Sequence, residues 1–471
     1  MEYPPAVAKK QGGLEVDVVR SRIWNDRRSH AFTHDSSLPF CSNVLVSATT
    51  PASRSHYHKK ISVGYVASTR KDMLSVNPME ACYQDFFVTM KTATLTCIFI
   101  LSICKADSLA LGTGAKPKVT RVSAGPIDIS SLGCGTWSWG NRLLFDYNPS
   151  QDEEIYEAYR EIRNAGVTIF DTADSYGTFD LNGRAEILLG QFERRYQNEI
   201  TQQTPNKKQS LWWEFGSKSA GPKLDANKQQ AATKLAPYPW RVTPGQIVKA
   251  AEASLKRLGQ DKLAVAQLHW STSNYQPLQE KALWEGIGDV YDKGLCEAVG
   301  VSNYGPKQLQ RVASRFQERS VPLAVAQIQY SLMTYKVARD MNSACEDVNC
   351  RLISYSPLCL GLLTGKYTLD NLPRPGNPRR QLFRELLPGA QELLGTLKAV
   401  ADEYDKSQTQ VAINWAICKG TVPIPGARTL QQARENLGST GWSLRSDAVE
   451  ALDVAALRVK KPMIQNIFQT K

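Results

Sequence analysis

The chain contains no Cys-x-x-Cys pair, no Gly-x-Gly-x-x-Gly turn and no apolar run long enough to cross a bilayer. Its ten cysteines are scattered without regular spacing, which argues against a disulfide framework and against a bound metal. Cys134, Cys296, Cys359 and Cys418 lie in apolar stretches and read as small core residues of a reducing compartment. The longest apolar run ahead of the main body, Leu95 to Cys104, falls well short of the ~20 residues a spanning helix needs. Stable membrane insertion is therefore not expected. A net charge of +12 is compatible with a nucleic-acid partner, but no basic helix with stacking aromatics, zinc-finger spacing or RNP-like strand accompanies it. No nucleic-acid partner is expected.

What is present is enough apolar residue, 42% of the chain, to bury a full core. Residues 1 to about 115 lack sustained periodicity and are rich in Ser, Thr, Lys and Arg, as in SRSHYHKK. They read as an extension outside the folded body. A basic, hydroxyl-rich leader resembles an organelle transit sequence, with a mispredicted gene start as the alternative. A folded domain is expected over residues 118–471.

From Pro126 onward, short strand-like runs alternate with amphipathic helical runs. The runs are LGCGTW (132–137), VTIFD (167–171), LAVAQLHW (263–270), EAVGVSN (297–303), LAVAQIQY (323–330), RLISYSP (351–357) and TVPIPGA (421–427). Between them, Ile155, Tyr159 and Ile162 share a helical face, as do Ile247, Ala251, Leu255 and Leu258. Thr243-Pro244 supplies a cap and a first-turn proline for the second of these helices. Strands buried on both faces and separated by crossover helices are parallel neighbours. Seven such strands, with an eighth expected before Ala236, predict an α/β fold of the (β/α)8 barrel type. The absent glycine-rich turn counts against a doubly wound sheet.

In such a barrel the chemistry lies at the C-terminal ends of the strands. Polar residues gather there: Asp171 in FDTADSYG, His269, Ser302, Asn303, Gln327 and Tyr355. Tyr176 follows Asp171 by five residues across a tight turn, so both can face one pocket. A tyrosine has an ordinary pKa near 10, and donating its proton to a carbonyl is easier if a nearby ammonium lowers that value. Lys234 in AATK is the candidate cation, Asp171 its counter-charge, and His269 a donor that orients a carbonyl oxygen. Singly, each has an ordinary reading: Asp171 as a cap or ion-pair partner, Tyr176 as loop packing, His269 as a core histidine, Ser302-Asn303 as a helix cap and Lys234 as a surface lysine.

Together these residues resemble the aldo-keto reductase family. FDTADSYG, ATK and QLHW carry an aspartate, tyrosine, lysine and histidine in that family's order, and VGVSNYG, AQIQYSL, ISYSPLCLGLLTGKY and PIPGARTLQQARENLG resemble its cofactor-binding segments. GTWSWGNRLLFDY, APYPWRVTPGQ, QLHWSTSNY and the terminal MIQNIFQT are similar to the plant plastid branch that reduces pyridoxal. The resemblance implies NADPH, a small-molecule aldehyde substrate, most of all pyridoxal reduced to pyridoxine, and Tyr176 as general acid tuned by Lys234 and Asp171. It implies that Ser302, Asn303 and Gln327 hold the nicotinamide carboxamide and that Tyr355 stacks on its ring. Ser356, Leu358, Gly361 and Gly426 belong to the same cofactor segments. Arg428 is placed near the adenosine 2′-phosphate, with Gln432 and Asn436 nearer the adenine. Trp137, Trp139 and Trp270, with Trp240, are candidates for an aromatic wall around a flat substrate. The alternatives are a broad-specificity aldehyde or ketone reductase and a catalytically impaired NADP-binding regulatory barrel. The branch implies the chloroplast stroma, with the cytoplasm as the alternative, and a monomer is the default.

One segment departs from this pattern. Residues 201–230 are polar and look like an insertion or a gene-model error, and they leave QQAAT, a poor buried strand on propensity grounds, as the third strand. Lys218 in FGSKSA is then a rival to Lys234.

Overall fold

The computed structural model describes residues 119–203, 228–463 and 469–470. The leader expected over 1–115, Lys218 and most of the segment 201–230 lie outside the described residues. Ten strands are present among the described residues: β1 (Arg121–Ala124), β2 (Ile127–Ser130), β3 (Cys134–Gly135), β4 (Ile169–Ala173), β5 (Gln230–Leu235), β6 (Leu263–Leu268), β7 (Cys296–Ser302), β8 (Leu323–Gln329), β9 (Arg351–Tyr355) and β10 (Val422–Ile424). Strands β3 to β10 pair in parallel in sequence order. The sheet closes on itself through a parallel bridge between Gly135 and Gly426, with the Gly133 amide donating to Pro423 O at 2.9 Å. This is the expected eight-stranded α/β barrel.

The helical faces predicted from spacing are buried as expected. Ile155, Tyr159 and Ile162 on the helix Asp152–Asn164, and Ile247, Ala251, Leu255 and Leu258 on Pro244–Leu258, join the apolar layer between sheet and helices. The start of the second helix is marked by Gln246, whose side-chain oxygen accepts from the Thr243 amide at 3.0 Å. An antiparallel hairpin, β1 and β2, was not foreseen. Its Ala124, Ile127 and Ile129 cluster with Ile169, Ala232, Val265, Ala298, Val325 and Ile353.

Side chains alternate along a strand, so residues two apart share a face. Moving two positions toward the C-terminal end from Ile169, Ala232, Val265 and Val325 reaches Asp171, Lys234, Gln267 and Gln327, all of them buried. The barrel interior therefore changes from an apolar layer to a polar one over a single step. Gly300 makes room for this, since a Cβ there would lie 2.5 Å from Val325 Cγ2 and 3.0 Å from Gln267 Cγ.

The third strand lies where it is expected, just before Ala236, but the expectation of a poor strand is corrected. Gln230–Leu235 is a regular strand, buried throughout, with Ile169↔Gln230 to Ala173↔Lys234 on one side and Ala232↔Val265 to Leu235↔Leu268 on the other. Pairing on both edges outweighs the weak propensity of Gln and Ala, and the small alanines suit a slot between two occupied strands.

Candidate active site

Strand β4 carries Asp171 two residues short of its end, and the chain then turns sharply at Gly177, where φ is +136°. A Cβ at that position would fall 1.7 Å from Leu181 O, so the turn that brings Tyr176 back over the strand end admits only glycine. Next to Asp171, β5 presents Lys234. The ammonium Nζ donates to both Asp171 oxygens at 2.5 and 2.6 Å, and the two side chains are 1% and 4% exposed. It also lies 4.8 Å from the centre of the Tyr176 ring. The Tyr176 and His269 rings meet edge to face at 5.7 Å. All four residues thus converge on one end of the barrel.

Electrostatics differ from the expectation in one respect. The Tyr176 phenol is pushed well above its ordinary value, first by burial and then by the charges of Asp171 and Tyr355. The ammonium is engaged by Asp171 in a bidentate contact. His269 is shifted the other way, well below the ordinary imidazole value, by burial and by the Lys234 charge. Lys234 is itself lowered by burial, opposed by Asp171. At neutral pH the site therefore holds a protonated phenol and a neutral imidazole.

A cleft of about 290 Å³ begins at Asp171 and Tyr176 and continues past Tyr355 to the far side of the barrel mouth. Trp137, Tyr355, Ser356, Leu358, Gly361, Gly426, Arg428, Gln432 and Asn436 all line it. Its wall between Ser356 and Gly361 is strained: Ser356, Cys359 and Leu360 have φ of 49°, 51° and 56°. Non-glycine residues held there cost on the order of 1 kcal/mol each and concentrate at functional sites. At the far end the Arg428 and Arg379 guanidiniums each lie 5.7 Å from the Phe145 ring. Arg428 donates to Phe145 O at 2.6 Å and Arg379 to Leu360 O at 3.3 Å, and neither has an ion-pair partner among the described residues. Burial and the neighbouring Arg379 lower Arg428 from its ordinary value. Sequence reasoning missed Arg379 and Phe145 because both lie outside the strand-end segments that signalled the site.

Ser302, Asn303 and Gln327 sit beneath the mouth and are already bonded. Asn303, in the left-handed region at φ 62°, donates through Nδ2 to His269 O and Ser302 Oγ, both at 3.0 Å, and accepts from Tyr355 OH at 2.8 Å. Gln327 Nε2 donates to Asp171 Oδ1 at 2.7 Å. One tryptophan is corrected. Trp139 is fully buried in the outer core, its ring against Tyr159 and Phe192 and its Nε1–H donating to Ala427 O at 2.9 Å, so it cannot touch a ligand in the cleft. Trp270, like His269, Ser302, Asn303 and Gln327, is not part of the cleft lining itself; its ring lies 5.0 Å from the His269 ring and its Nε1–H donates to Tyr275 OH at 2.8 Å. Trp240 is 65% exposed and stacked on Tyr238 at 4.7 Å. Cys134, Cys296 and Cys359 are buried and Cys418 half-buried. Among the described residues no cluster of His, Cys, Asp or Glu suits a metal, and no helix is long and apolar enough to cross a membrane.

The barrel and the paired Asp171–Lys234 site place the protein among oxidoreductases of one kind: the chain belongs to the aldo/keto reductase family, which residues 131–456 match. It is 47% identical over 352 residues to the chloroplastic pyridoxal reductase of Arabidopsis thaliana, covering 74% of this chain and 90% of that protein. Among solved structures it is similar to a glycerol dehydrogenase from Gluconobacter oxydans, with 22% identity, a TM-score of 0.56, and 76% and 100% of the two chains covered. A silkworm aldo-keto reductase complexed with NADPH matches at 23% identity and a TM-score of 0.54, over 75% and 92% of the chains. The last two likenesses speak to the fold.

Proposed function

We propose that the protein is an NADPH-dependent reductase of small aldehydes, with pyridoxal as substrate and pyridoxine as product, acting in the chloroplast. The observation that carries this reading is the single cleft that joins Tyr176, beside the buried Asp171–Lys234 pair, to two guanidiniums at its far end. The choice of pyridoxal and of the plastid is supported by the Arabidopsis relative's name, and the substrate also by an aromatic side chain, Trp137, in the cleft lining.

The residues present fit a reduced dinucleotide. Among the described residues Arg428 and Arg379 have no carboxylate partner and suit a phosphate dianion, and Ser138, in the cleft wall, has a buried Oγ with no hydrogen-bond partner. When bound, NADPH supplies the hydride. Tyr355 is proposed to flank the nicotinamide, with Ser302, Asn303 and Gln327 at its carboxamide. Gln327 keeps its carbonyl oxygen for that contact, because its amide nitrogen serves Asp171. Ser356, Leu358, Gly361 and Gly426 would line the path of the pyrophosphate, and Gln432 and Asn436 the adenosine end.

In this mechanism the Tyr176 phenol, which retains its proton well past neutrality, gives it to the carbonyl oxygen as charge develops there. The Lys234 ammonium, fixed by Asp171, stabilises the phenolate left behind. His269, neutral, donates one ring N–H to orient the carbonyl. The phenol titrates above its ordinary 10.0 and the imidazole below its ordinary 6.5, so neither changes state between those limits. The hydride-transfer rate under single-turnover conditions is expected to stay level within about twofold in the lower part of that window and to fall toward its upper end, where Lys234, lowered by burial, gives up its proton. A step near pH 6.5 would show that His269 titrates freely.

Arg428→Ala is expected to weaken NADPH binding by roughly 10- to 100-fold and to leave NADH binding nearly unchanged, as for a lost charge-assisted hydrogen bond. Fluorescence titration with both cofactors measures this; equal losses for the two would remove the 2′-phosphate from the proposed contact. A fluorescent fusion of the full chain tests the plastid assignment, which cytosolic signal would overturn.

A further inference from the structure

Outside the cleft, one carboxylate gathers an unusual number of donors. Glu280, in the first turn of the helix Pro277–Asp292, is 4% exposed and has no ion pair among the described residues. Its Oε1 accepts from Ser271 Oγ at 2.9 Å, Trp284 Nε1 at 3.0 Å, Tyr304 OH at 2.7 Å and Gln308 Nε2 at 3.1 Å. Its Oε2 accepts from Thr272 Oγ1 at 3.0 Å and from the Thr272 backbone amide. A buried carboxylate is costly unless its lone pairs are filled, and six donors fill these.

The positions of those donors are informative. Ser271 and Thr272 lie in the loop leaving β6, two and three residues after His269. Tyr304 lies in the loop leaving β7, next to Asn303. The two loops touch once more on the site side, where Asn303 Nδ2 donates to His269 O at 3.0 Å. Glu280 does not line the cleft, so it reaches the site only through these neighbours.

Building on the proposed function, we infer that Glu280 is a positioning residue: it locks the loop carrying His269 and the loop that follows Ser302 and carries Asn303 into one rigid unit. Substrate orientation and nicotinamide orientation are thereby set together. Changing the carboxylate to an amide keeps the volume but replaces one acceptor by a donor facing other donors, which releases the two loops together.

The test is Glu280→Gln in the full chain, followed by hydrogen exchange of segments 269–276 and 302–308 and by a mutant cycle with His269→Ala. Both segments are expected to lose protection together. Glu280→Gln alone is expected to lower kcat/KM for pyridoxal by roughly 10- to 100-fold, and to add little on top of His269→Ala. Asp453→Asn, which breaks a comparable hub of Trp415, Lys419 and Tyr335, should leave both segments protected. If Glu280→Gln does not fold, Tyr304→Phe decides: segment 302–308 alone should exchange faster, with kcat/KM reduced. Unchanged exchange in both segments, or kinetic effects that multiply, would overturn the inference. Exchange requires no turnover, so an inactive wild-type protein would remove the functional reading and leave this one to be judged by the exchange data.

Discussion

Tyr176→Phe is expected to lower pyridoxal turnover by roughly 10²- to 10⁴-fold while NADPH binds with unchanged affinity. The substitution removes a hydroxyl and nothing else. The ring keeps its edge-to-face contact with His269 and its place 4.8 Å from the Lys234 ammonium. What is lost is the proton that a phenol holds at neutral pH, bound here more firmly still because burial and the nearby Asp171 charge disfavour its ionisation. Single-turnover kinetics with a cofactor titration separate the two effects. A variant that retains wild-type turnover would mean that another group or water protonates the carbonyl.

The second large effect concerns the pair below that tyrosine. Removing one member of a buried, hydrogen-bonded ion pair typically costs about 3–5 kcal/mol, because the other charge is left without its partner. Lys234→Met is expected to destabilise the protein by that amount and to abolish detectable turnover, leaving the Asp171 carboxylate with Gln327 as its remaining side-chain donor. Asp171→Asn strands an ammonium that burial already lowers, so Lys234 should lose its proton and the site its cation. The double variant, Asp171→Asn with Lys234→Met, should recover much of the stability and none of the activity. Denaturant unfolding and turnover assays on all three variants measure this. Activity that returned together with stability would show that the pair serves folding alone.

Much of the arrangement was legible from the sequence because barrel strands advertise themselves. Runs such as LAVAQL and LAVAQIQ are continuous and apolar, and their closing polar residues name the rim. The third strand was legible in its place before Ala236 but not in its strength, because Gln230, Ala231 and Ala232 carry no such signal; their strand state comes from β4 and β6 pairing on either side. Trp139 misled for the opposite reason. It lies in a rim-like segment next to Trp137, but the chain turns between them, sending one indole to the cleft and the other into the core. The hydrogen bond from Gln327 to Asp171 joins residues 156 apart in the chain, which spacing along the sequence cannot reveal.

The account depends on hydride leaving a cofactor held in this cleft for an aldehyde beside Tyr176. Its most direct test is a single-turnover reaction of the purified chain, pre-loaded with NADPH and mixed with pyridoxal, followed by the loss of reduced-nicotinamide absorbance. Stoichiometric oxidation of NADPH with formation of pyridoxine is the predicted result. NADPH that binds tightly yet stays reduced in the presence of pyridoxal and of a broad panel of aldehydes would contradict it.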